Sequence, residues 1–599
     1  MDLIAQIQQA ASTAILSLYE KEVAPESLTI QETKKEFEGD FTLVTFPLTR
    51  LKIGAPPKIA EDLGNKLKAD LDIISDFNVI KGFLNLSIES DTWRKYLKYA
   101  LERKTFHHNS HGSGKTVVVE YCSPNTNKPL HLGHLRNIIL GYSLTQILQA
   151  NGYKAIPTCL FNDRGTNISK SMWAYQQAGK NDNPQEAGVK GDKLVGDYYV
   201  AYSKQHKAEV SQLMEKNNIP KHEAEKQVAT TKAINELTVK WEEGDQETRQ
   251  LWETMNGWVY EAFQDTFKSL GVEFDTFYYE SKVYQRGKET VEEGLKSGIF
   301  YKDEEGTVWV DLTEDGLDKK VLLRSNGTSL YITQDLAIAA DKYADYKMDK
   351  SVYVVGNEQD YHFKVLFKIL EKLGKSYANG LYHLSYGMVN LPTGKMKSRE
   401  GTTVEADDLM KTMIQTAQEV TEELGKTEGM SAEQLDGLYQ KIGLAALKYF
   451  LIKVDPKRTM LFDPKESIDI HGTTGPFIQY SYTRTMGIKR KAEKSGMDFK
   501  LDLRQSAEQP MLDSERNLLK YILKYKDVLK EAGESYNPSL VANYCYDLAK
   551  EYNRFFHEAP VLKSDQPVTS AFRFSLNEMV GRTLKEGMSL LGIQMSDRM

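Results

Sequence analysis

The residues best suited to chemistry lie in one short segment, 123–134, which ends in His131-Leu132-Gly133-His134. Two imidazoles three residues apart fall on the same side of a first helical turn, where they can donate hydrogen bonds to phosphate oxygens. A helix N-terminus adds unpaired N–H groups and a partial positive charge, which also favour phosphate. Gly133 leaves room for a nucleotide against the backbone. The segment predicts a nucleotide-phosphate site; the alternative is a chance tetrapeptide that caps a helix.

A second group of cations lies far downstream, in residues 394–401, between two glycines. Lys395, Lys397 and Arg399 could close over a triphosphate, because fixed cations stabilise the negative charge of a phosphoryl-transfer transition state. Standing alone, the same residues would be an exposed basic turn.

These residues need a scaffold, and the chain has the pattern for one. The β-branched run 116–121 predicts a strand buried on both faces. A helix over about 133–150 and a second strand over 154–161 complete a βαβ unit, which predicts a parallel Rossmann-like sheet. A further strand at 351–356 and a helix at 361–373 extend the α/β pattern. The histidine motif would then lie after a strand and before a helix, where open α/β sheets bind ligands.

The rest of the chain divides around this sheet. Residues 1–105 predict a small α+β domain, and residues 106–425 an α/β Rossmann-like parallel-sheet catalytic domain. A charged, mostly helical stretch of about 180–285 predicts a helical insertion. Residues 426–599 predict a C-terminal all-α helical domain, because no strand alternation is visible from about Lys441 onward.

Composition limits the class of protein. The 599 residues are 27% charged and 40% hydrophobic, with a mean hydropathy of −0.50, and no apolar run is long enough to cross a membrane. Three cysteines are too few for a disulfide framework or a zinc site, so we expect a cytoplasmic protein and no metal site. The net charge of −7 argues mildly against nucleic-acid binding, but the chain from Gln440 onward has a basic excess, which would suit RNA.

Taken together, the two motifs resemble those of class I aminoacyl-tRNA synthetases, whose signatures are His-Ile-Gly-His and Lys-Met-Ser-Lys-Ser. Several segments are more specifically similar to arginyl-tRNA synthetases, and they follow the order of that family over nearly the whole chain. They are residues 120–125, 128–136, 162–165, 330–335, 359–363, 474–480 and 590–599.

The resemblance implies a two-step reaction with ATP and Mg²⁺, L-arginine and tRNA(Arg) as substrates. The arginine carboxylate attacks the α-phosphate to give arginyl-adenylate and diphosphate, and the arginyl group then passes to the 2′-hydroxyl of the terminal adenosine. The family generally needs bound tRNA before it activates arginine. The resemblance also implies a monomer, with an N-terminal domain that binds the tRNA elbow and a C-terminal domain that binds the anticodon.

The resemblance also assigns the residues that handle ATP. Because Ser398 stands where the family has a second loop lysine, Lys128 is a candidate replacement for that charge, with Lys397 and Arg399 as rivals. The predicted catalytic residues are Lys128, His131, His134, Lys395 and Lys397. The predicted ATP-binding residues are His131, Leu132, Gly133, His134, Gly387, Met388, Val389, Lys395 and Met396.

For arginine, the family places Tyr331 and Asp335 at the guanidinium end. A planar guanidinium has five donors and stays charged, so its pocket needs acceptors, and a bidentate carboxylate discriminates against lysine. An alternative role for Asp335 is a helix N-cap. The predicted arginine-binding residues are Glu120, Ser123, Asn125, His134, Tyr331, Asp335 and Gln359.

The predicted tRNA contacts combine stacking and polar side chains, as single-stranded bases require. For each aromatic residue the alternative is core packing, and Phe83 and Asn85 could be one core and one surface residue. The predicted contacts are Phe83 and Asn85 in the N-terminal domain, and Gln479, Tyr480, Arg484, Asn553, Phe556 and Met599 in the C-terminal domain.

Two alternatives remain. The chain could be a class I synthetase for another amino acid, although cysteinyl would need zinc ligands and glutamyl would need basic pocket residues. It could also be a catalytically silent RNA-binding paralogue. The argument against this alternative is the presence of Lys128, His131, His134 and Lys395.

Overall fold

The fold is taken from a computed structural model, which describes residues 2–178, 182–328, 330–390, 404–425, 429–496, 499, 501, 510–564 and 566–599. The predicted loop residues Lys395, Met396 and Lys397, with Ser398 and Arg399, lie outside the described residues. The chain forms two compact units. Unit 1 is Met1–Phe106, Arg484–Lys524 and Lys550–Thr583, and unit 2 is His107–Thr483, Tyr525–Ala549 and Leu584–Met599.

Helices make up most of both units. They are α1 (Leu3–Tyr19), α2 (Pro56–Asp70), α3 (Ser90–Glu102), α4 (Leu132–Ala150), α5 (Thr166–Ala178), α6 (Pro184–Ala187), α7 (Gly191–Asn217), α8 (Lys221–Gln227), α9 (Ala229–Glu243), α10 (Gln246–Leu270), α11 (Glu280–Lys296), α12 (Tyr331–Tyr346), α13 (Asp360–Lys372), α14 (Ala406–Leu424), α15 (Ala432–Ile452), α16 (Pro464–Ile468), α17 (Gly475–Ser495), α18 (Asp513–Glu534), α19 (Ser539–Glu558) and α20 (Pro567–Leu590).

Within the described ranges, the strands form four sheets. They are β1 (Ile30–Glu32), β2 (Phe41–Val44), β3 (Ile74–Ile80), β4 (Phe83–Ile88), β5 (Thr116–Glu120), β6 (Lys154–Phe161), β7 (Thr276–Tyr279), β8 (Phe300–Lys302), β9 (Val308–Val310), β10 (Lys320–Leu323), β11 (Lys350–Gly356), β12 (Leu381–Tyr386), β13 (Val389–Asn390) and β14 (Met460–Leu461).

Unit 1 contains an antiparallel sheet of order β1-β2-β4-β3. Helix α2 packs on β3 and β4, and Trp93 of α3 contacts Phe41 of β2, with Leu43, Leu84 and Leu86 fully buried. Gly64 of α2 lies directly on the ring of Phe77, where a Cβ atom would come within 2.3 Å of ring carbons. This close approach lets α2 lie flat on the sheet, and the predicted α+β fold of the N-terminal region is confirmed.

Unit 2 is built on a parallel sheet of order β12-β11-β5-β6-β7. From β5 the chain adds β6 and β7 on one side, and then returns to add β11 and β12 on the other. The carboxyl ends of β5 and β11 therefore diverge at a topological switch point, which is where such sheets bind ligands. The predicted Rossmann-like sheet is confirmed, and β6 and β11 have nearly the predicted bounds.

Helix α4 crosses from β5 to β6 and is buried along most of its length. Gly141 lets it approach the sheet, because a Cβ atom there would lie 2.2 Å from Tyr121 Cγ. The predicted helical insertion is confirmed as α6–α10, which lie between β6 and β7. Among the helices in the described ranges, none combines the length and apolarity needed to cross a membrane.

Two small sheets were not predicted. Strands β8, β9 and β10 form an antiparallel sheet, and β13 pairs in parallel with β14. Each of these strands has two to four residues, which is too short for an alternating pattern to be recognised. The predicted helical C-terminal region is confirmed, and β14 is a two-residue strand within it.

Candidate active site

The candidate site begins where β5 ends. Cys122 and Ser123 have left-handed φ values of 71° and 32°, so the chain leaves the sheet sharply after Tyr121. The carboxamide of Asn137 fixes this turn: its Oδ1 accepts from Cys122 N at 2.6 Å, and its Nδ2 donates to Val354 O at 2.7 Å. One side chain of α4 therefore ties the ends of β5 and β11 together at the switch point.

The predicted phosphate-binding motif forms the first turn of α4, called here the histidine turn (residues 131–134). His131 Nδ1 accepts from Gly133 N, and His134 Nδ1 accepts from His131 N, both at 3.1 Å. Burial, with the nearby charge of Lys128, lowers the pKa of His131 to about 4, and burial also holds the pKa of His134 well below its usual range. Both rings are therefore neutral near pH 7 and carry their proton on Nε2, which makes each a hydrogen-bond donor.

Lys128 is partly buried just before this turn, and its charge reaches both imidazoles. Helix α7 covers its backbone: Gly196 packs on Pro129, where a Cβ atom would come within 2.7 Å of Pro129 Cδ and 3.5 Å of Lys128 Cα. A cation beside two neutral donors is a suitable environment for phosphate. The catalytic role of Lys128 stays a prediction.

The chain returns to the histidine turn at residue 404. Leu132 N donates to Val404 O at 3.4 Å, Ala406 N donates to Leu130 O at 2.8 Å, and His131 pairs with Glu405 as an antiparallel bridge. The predicted cationic loop, although outside the described residues, is thus followed by residues that lie against His131.

The predicted ATP-binding residues Gly387, Met388 and Val389 follow β12. A buried arginine of α4 holds them: Arg136 Nη1 donates to Gly387 O at 2.5 Å, and Nη2 donates to Pro456 O at 3.2 Å. Gly387 has no room for a side chain, because a Cβ atom would lie 2.5–2.6 Å from backbone atoms of Arg458. Arg136 was not predicted as a site residue, since a single arginine within a helix carries no positional signal in the sequence.

Glu120, at the end of β5, is buried and paired with the fully buried Lys342 of α12. Its other oxygen accepts from Ser123 Oγ at 3.1 Å. Lys342 Nζ also lies 4.0 Å from the ring centre of Tyr353, and burial lowers the pKa of Lys342. Lys342 was missed from the sequence, and it fixes the orientation of the carboxylate that was predicted to bind arginine.

Tyr331 and Asp335 lie on the first turns of α12, four residues apart, as predicted. Tyr331 is 68% exposed, so its ring is available to a ligand. Asp335 Oδ2 lies 2.5 Å from His362 Nε2, which orients the carboxylate. The N-cap residue of α12 is Leu330, so the alternative role of Asp335 as an N-cap is wrong.

Two further carboxylates join Asp335 in what we call the acidic cluster (Asp163, Glu280 and Asp335). Burial raises the pKa of Glu280 to about 7, and the charges of Asp163 and Asp335 add to this while Arg164 opposes it. Asp163 is fully buried and accepts from Ser281 N at 2.8 Å and Tyr260 Oη at 2.8 Å. Glu280 was missed because it follows the insertion, where its neighbours resemble an exposed helix start. The cluster concentrates negative charge where a cation would be favoured.

The other predicted arginine-binding residues lie on the same edge of the sheet. Asn125 forms a parallel bridge with Asn162, after β6, and Asn162 Nδ2 donates to Ser123 O at 2.9 Å. Gln359 is exposed and directly precedes α13, after β11. In the described residues, no group of three or more His, Cys, Asp and Glu side chains could hold a metal ion.

The predicted tRNA contacts of unit 1 differ in accessibility. Phe83 is partly exposed, and its ring meets the exposed Phe46 edge-on with centroids 5.1 Å apart. Asn85 is buried, and both ends of its carboxamide are bonded, to Thr42 at 2.6 Å and Asn78 at 2.9 Å. The structure thus gives one surface and one core residue. A tRNA contact at Asn85 stays a prediction, and it would require these bonds to rearrange.

Three other predicted contacts in unit 1 form one cluster. Arg484 Nη1 donates to Asn553 Oδ1 at 2.6 Å, and the Arg484 guanidinium lies 5.2 Å from the ring centre of Phe556. A cation, an amide and an aromatic ring together are typical of a surface that binds single-stranded bases.

The predicted contacts of unit 2 surround the C-terminal tail. Gln479 is fully buried, and its Nε2 donates to Lys441 O at 3.1 Å and Gln594 O at 2.8 Å. Tyr480 and Met599 line one small apolar cavity. Gln479 therefore holds the tail in place in this structure, and its predicted contact with tRNA stays a prediction.

Three family models match the chain. The model described as tRNA synthetases class I (R), catalytic domain, matches residues 97–463. The DALR anticodon binding domain matches residues 478–599, and the arginyl tRNA synthetase N terminal domain matches residues 2–88.

Whole relatives match over their full length. The arginine--tRNA ligase of Bacteroides thetaiotaomicron is 49% identical, over 97% of each chain, and that of Bacteroides fragilis is 48% identical, over 99% of this chain and 100% of the relative. The solved Thermus thermophilus arginyl-tRNA synthetase superposes with a TM-score of 0.77 at 23% identity, and the Plasmodium falciparum enzyme with a TM-score of 0.75 at 19% identity. Both structural matches cover 100% of each chain.

Proposed function

Because this chain belongs to the family of class I arginyl-tRNA synthetases, we propose that it ligates L-arginine to tRNA(Arg) with ATP. The overall reaction converts ATP, L-arginine and tRNA(Arg) into AMP, diphosphate and L-arginyl-tRNA(Arg). The observation that carries the proposal is the juxtaposition, on one sheet edge, of neutral imidazole donors after β5 and an acidic cluster that follows β6 and β7 and includes the first turns of α12. The first suits a triphosphate, and the second suits a guanidinium.

In the first step, a carboxylate oxygen of arginine attacks the α-phosphorus of ATP, and the bond from that phosphorus to the bridging oxygen breaks. Diphosphate leaves, so the β- and γ-phosphates gain negative charge in the transition state. His131 Nε2 and His134 Nε2 donate to these oxygens, and Lys128 supplies a cation without any proton transfer. The Mg²⁺ ion enters as part of the nucleotide substrate.

In the second step, the 2′-hydroxyl of the terminal adenosine attacks the arginyl carbonyl carbon, the bond from that carbon to the phosphate oxygen breaks, and AMP leaves with the hydroxyl proton on its phosphate. The residues that hold arginine must keep its carbonyl in place through both steps, which preorganised side chains achieve at low entropic cost. Glu120, held by Lys342, and Asn125 would bind the α-amino end; Glu120 is the last residue of β5, and Asn125 follows that strand at the switch point.

Selection of arginine falls to Asp335, Tyr331 and Glu280. A carboxylate fork oriented by His362 can accept two parallel hydrogen bonds from a guanidinium, whereas a lysine ammonium cannot match that geometry. A glutamate or cysteine side chain would leave the buried carboxylates without a cation. The acidic cluster therefore disfavours the alternative that the enzyme charges another class I amino acid.

Recognition of tRNA divides between the two units. Phe83 in unit 1 would contact the elbow, and the cluster of Arg484, Asn553 and Phe556 would contact the anticodon. In unit 2, Tyr480 and Met599 are separate candidates for tRNA contact. We further propose that arginine activation requires bound tRNA, and that the enzyme acts as a cytoplasmic monomer.

A direct test is aminoacylation of total tRNA with each of the twenty amino acids. We expect charging with arginine alone, and ATP–diphosphate exchange only when both arginine and its tRNA are present. Exchange driven by another amino acid would indicate a different synthetase. If cognate tRNA and arginine together gave no exchange, the silent RNA-binding paralogue would be the better description.

A further inference from the structure

The N-terminal end of α7, which belongs to the insertion, is packed unusually closely on its neighbours. A Cβ atom at Gly191 would lie 2.2 Å from Trp258 O of α10, and one at Gly196 would lie 2.7 Å from Pro129 Cδ. Both positions therefore need glycine. This end of α7 is fixed against α10 on one side and against the residues before the histidine turn on the other.

Two lysines extend from this end of α7 to residues 404–407. Lys190 Nζ donates to Asp407 Oδ2 at 2.6 Å and to Thr266 Oγ1 at 2.8 Å, and Thr266 Oγ1 lies 3.0 Å from Asp407 Oδ1. The three side chains close a ring that connects the start of α7, the end of α10 and the first turn of α14.

Lys193 makes the second connection. Its Nζ lies 3.2 Å from Glu405 Oε1 and 2.8 Å from Asp197 Oδ1. Glu405 is the residue that pairs with His131, and its neighbours Val404 and Ala406 form the backbone hydrogen bonds to residues 130–132. One residue, Glu405, therefore connects Lys193 to the histidine turn.

We infer that Lys190 and Lys193 are positioning residues for adenylate formation, which hold residues 404–407 against residues 130–132 and thereby fix the place of His131 in the nucleotide site. The effect on adenylate formation rests on the proposed function, whereas the effect on backbone position does not. Neither lysine touches a substrate in this assignment.

The charges around Lys193 indicate which substitution is informative. Both ion pairs are partly exposed, so removal of one charge should have a small effect. Reversal is different: Lys193→Glu would place a carboxylate among Asp192, Asp197 and Glu405, and like charges at this distance repel. The contact between residues 404–407 and the histidine turn should then loosen.

The experiment compares three full-length variants: K193E, K193E/E405K and K193E/D197K. In tRNA-dependent ATP–diphosphate exchange, we expect K193E to lower kcat about tenfold, with the KM for arginine changed less than twofold. E405K should recover most of this loss, because it restores the connection to residue 405. D197K should not, because it restores only a pair within α7.

Hydrogen exchange of the Leu132 and Ala406 amides provides a readout that does not depend on activity. We expect faster exchange in K193E and K193E/D197K, and wild-type exchange in K193E/E405K. Equal rescue by D197K and E405K, or wild-type amide exchange in K193E, would overturn the inference. A wild-type protein that activates no arginine would refute the proposed function instead, while the amide exchange would still decide the positioning role.

Discussion

The histidine turn and the acidic cluster lie on the same edge of one parallel sheet, but their charge is arranged in opposite ways. In the histidine turn, burial keeps two imidazoles neutral beside Lys128, so their Nε2 donors suit an anion. In the acidic cluster, burial raises the pKa values of Asp163 and Glu280 because it destabilises their charged forms. A cation nearby would stabilise these charged forms. The first arrangement suits an anion and the second suits a cation, and we propose that this difference separates phosphate handling from amino-acid selection.

The largest expected effect comes from removing the charge of the acidic cluster that faces the guanidinium. Asp335→Asn should lower kcat/KM for arginine about 1,000-fold, because the charge-assisted fork to the guanidinium is lost and that cation is left unpaired. The KM for ATP should stay within about threefold, since the histidine turn is untouched. Steady-state aminoacylation measures both values.

Asp345→Asn is the matched control for that change, because Asp345 is an exposed aspartate on the same helix and accepts from Tyr278. It should retain near wild-type kcat/KM. A comparable loss in the two variants would show that Asp335 has no special part in selecting arginine.

The second prediction tests the cation beside the histidine turn. Lys128→Ala should lower kcat for arginine activation about 100-fold and weaken ATP binding far less, because the cation serves mainly the charge that develops in the transition state. Lys154→Ala, an exposed lysine at the start of β6, is the control. Unchanged turnover in K128A would transfer this role to Lys397 or Arg399.

A smaller effect is expected from Arg136, which holds the backbone of the predicted ATP-binding residues after β12. Arg136→Lys keeps the charge but lacks the planar fork whose two nitrogens reach the carbonyls of Gly387 and Pro456, so the KM for ATP should rise about 20-fold. The KM for arginine should change little. Thermal unfolding of the same variant separates the local effect from global loss of structure, and equal increases in both KM values would contradict the assignment.

The smallest effect concerns Glu280 and pH. With a folded pKa of about 7, Glu280 is mostly protonated at pH 6 and ionised at pH 8, so the KM for arginine should fall about fivefold between these values. Glu280→Gln should remove this part of the pH dependence while leaving that of ATP unchanged. An identical pH profile in the two proteins would place Glu280 outside the arginine site.

The effect of pH on stability through Glu280 has the opposite sign: a higher pH should favour arginine binding but lower the free energy of unfolding. The folded protein binds more protons than the unfolded chain between about pH 4.5 and 7, because burial raises the pKa of Glu280. Its contribution to the free energy of unfolding is therefore present below about pH 4.5 and is lost as the pH rises to 7. In chemical unfolding, the free energy of unfolding of the wild type relative to that of E280Q should fall as the pH rises across this range.

Features that are contiguous in the chain were predictable from the sequence. The segment 116–161 carries a strand, a helix start and a second strand in a fixed order, and each has a strong local pattern. The parallel sheet, the helical insertion and the helical C-terminal region are confirmed for the same reason. The assignments of individual site residues stay predictions.

Features assembled from distant residues were not predictable. Lys342 reaches Glu120 across more than 200 residues, and Arg136 reaches Gly387 across 251. A helix with buried polar residues on several faces gives no periodic signal, and α4 is such a helix. Glu280 can be recognised as a candidate site residue only by its burial, which depends on the tertiary fold.

The carboxamide of Asn137 has a consequence for the thermodynamics of the enzyme. It joins the turn after β5 to the last residues of β11, and Ser123 and Gln359 follow these two strands. The ends of these two strands are therefore joined through one side chain, and a substrate that contacts the residues after both strands finds their separation already set. Little conformational entropy is then left to lose on binding, so interactions with arginine and ATP are available for the transition state rather than for assembling the site.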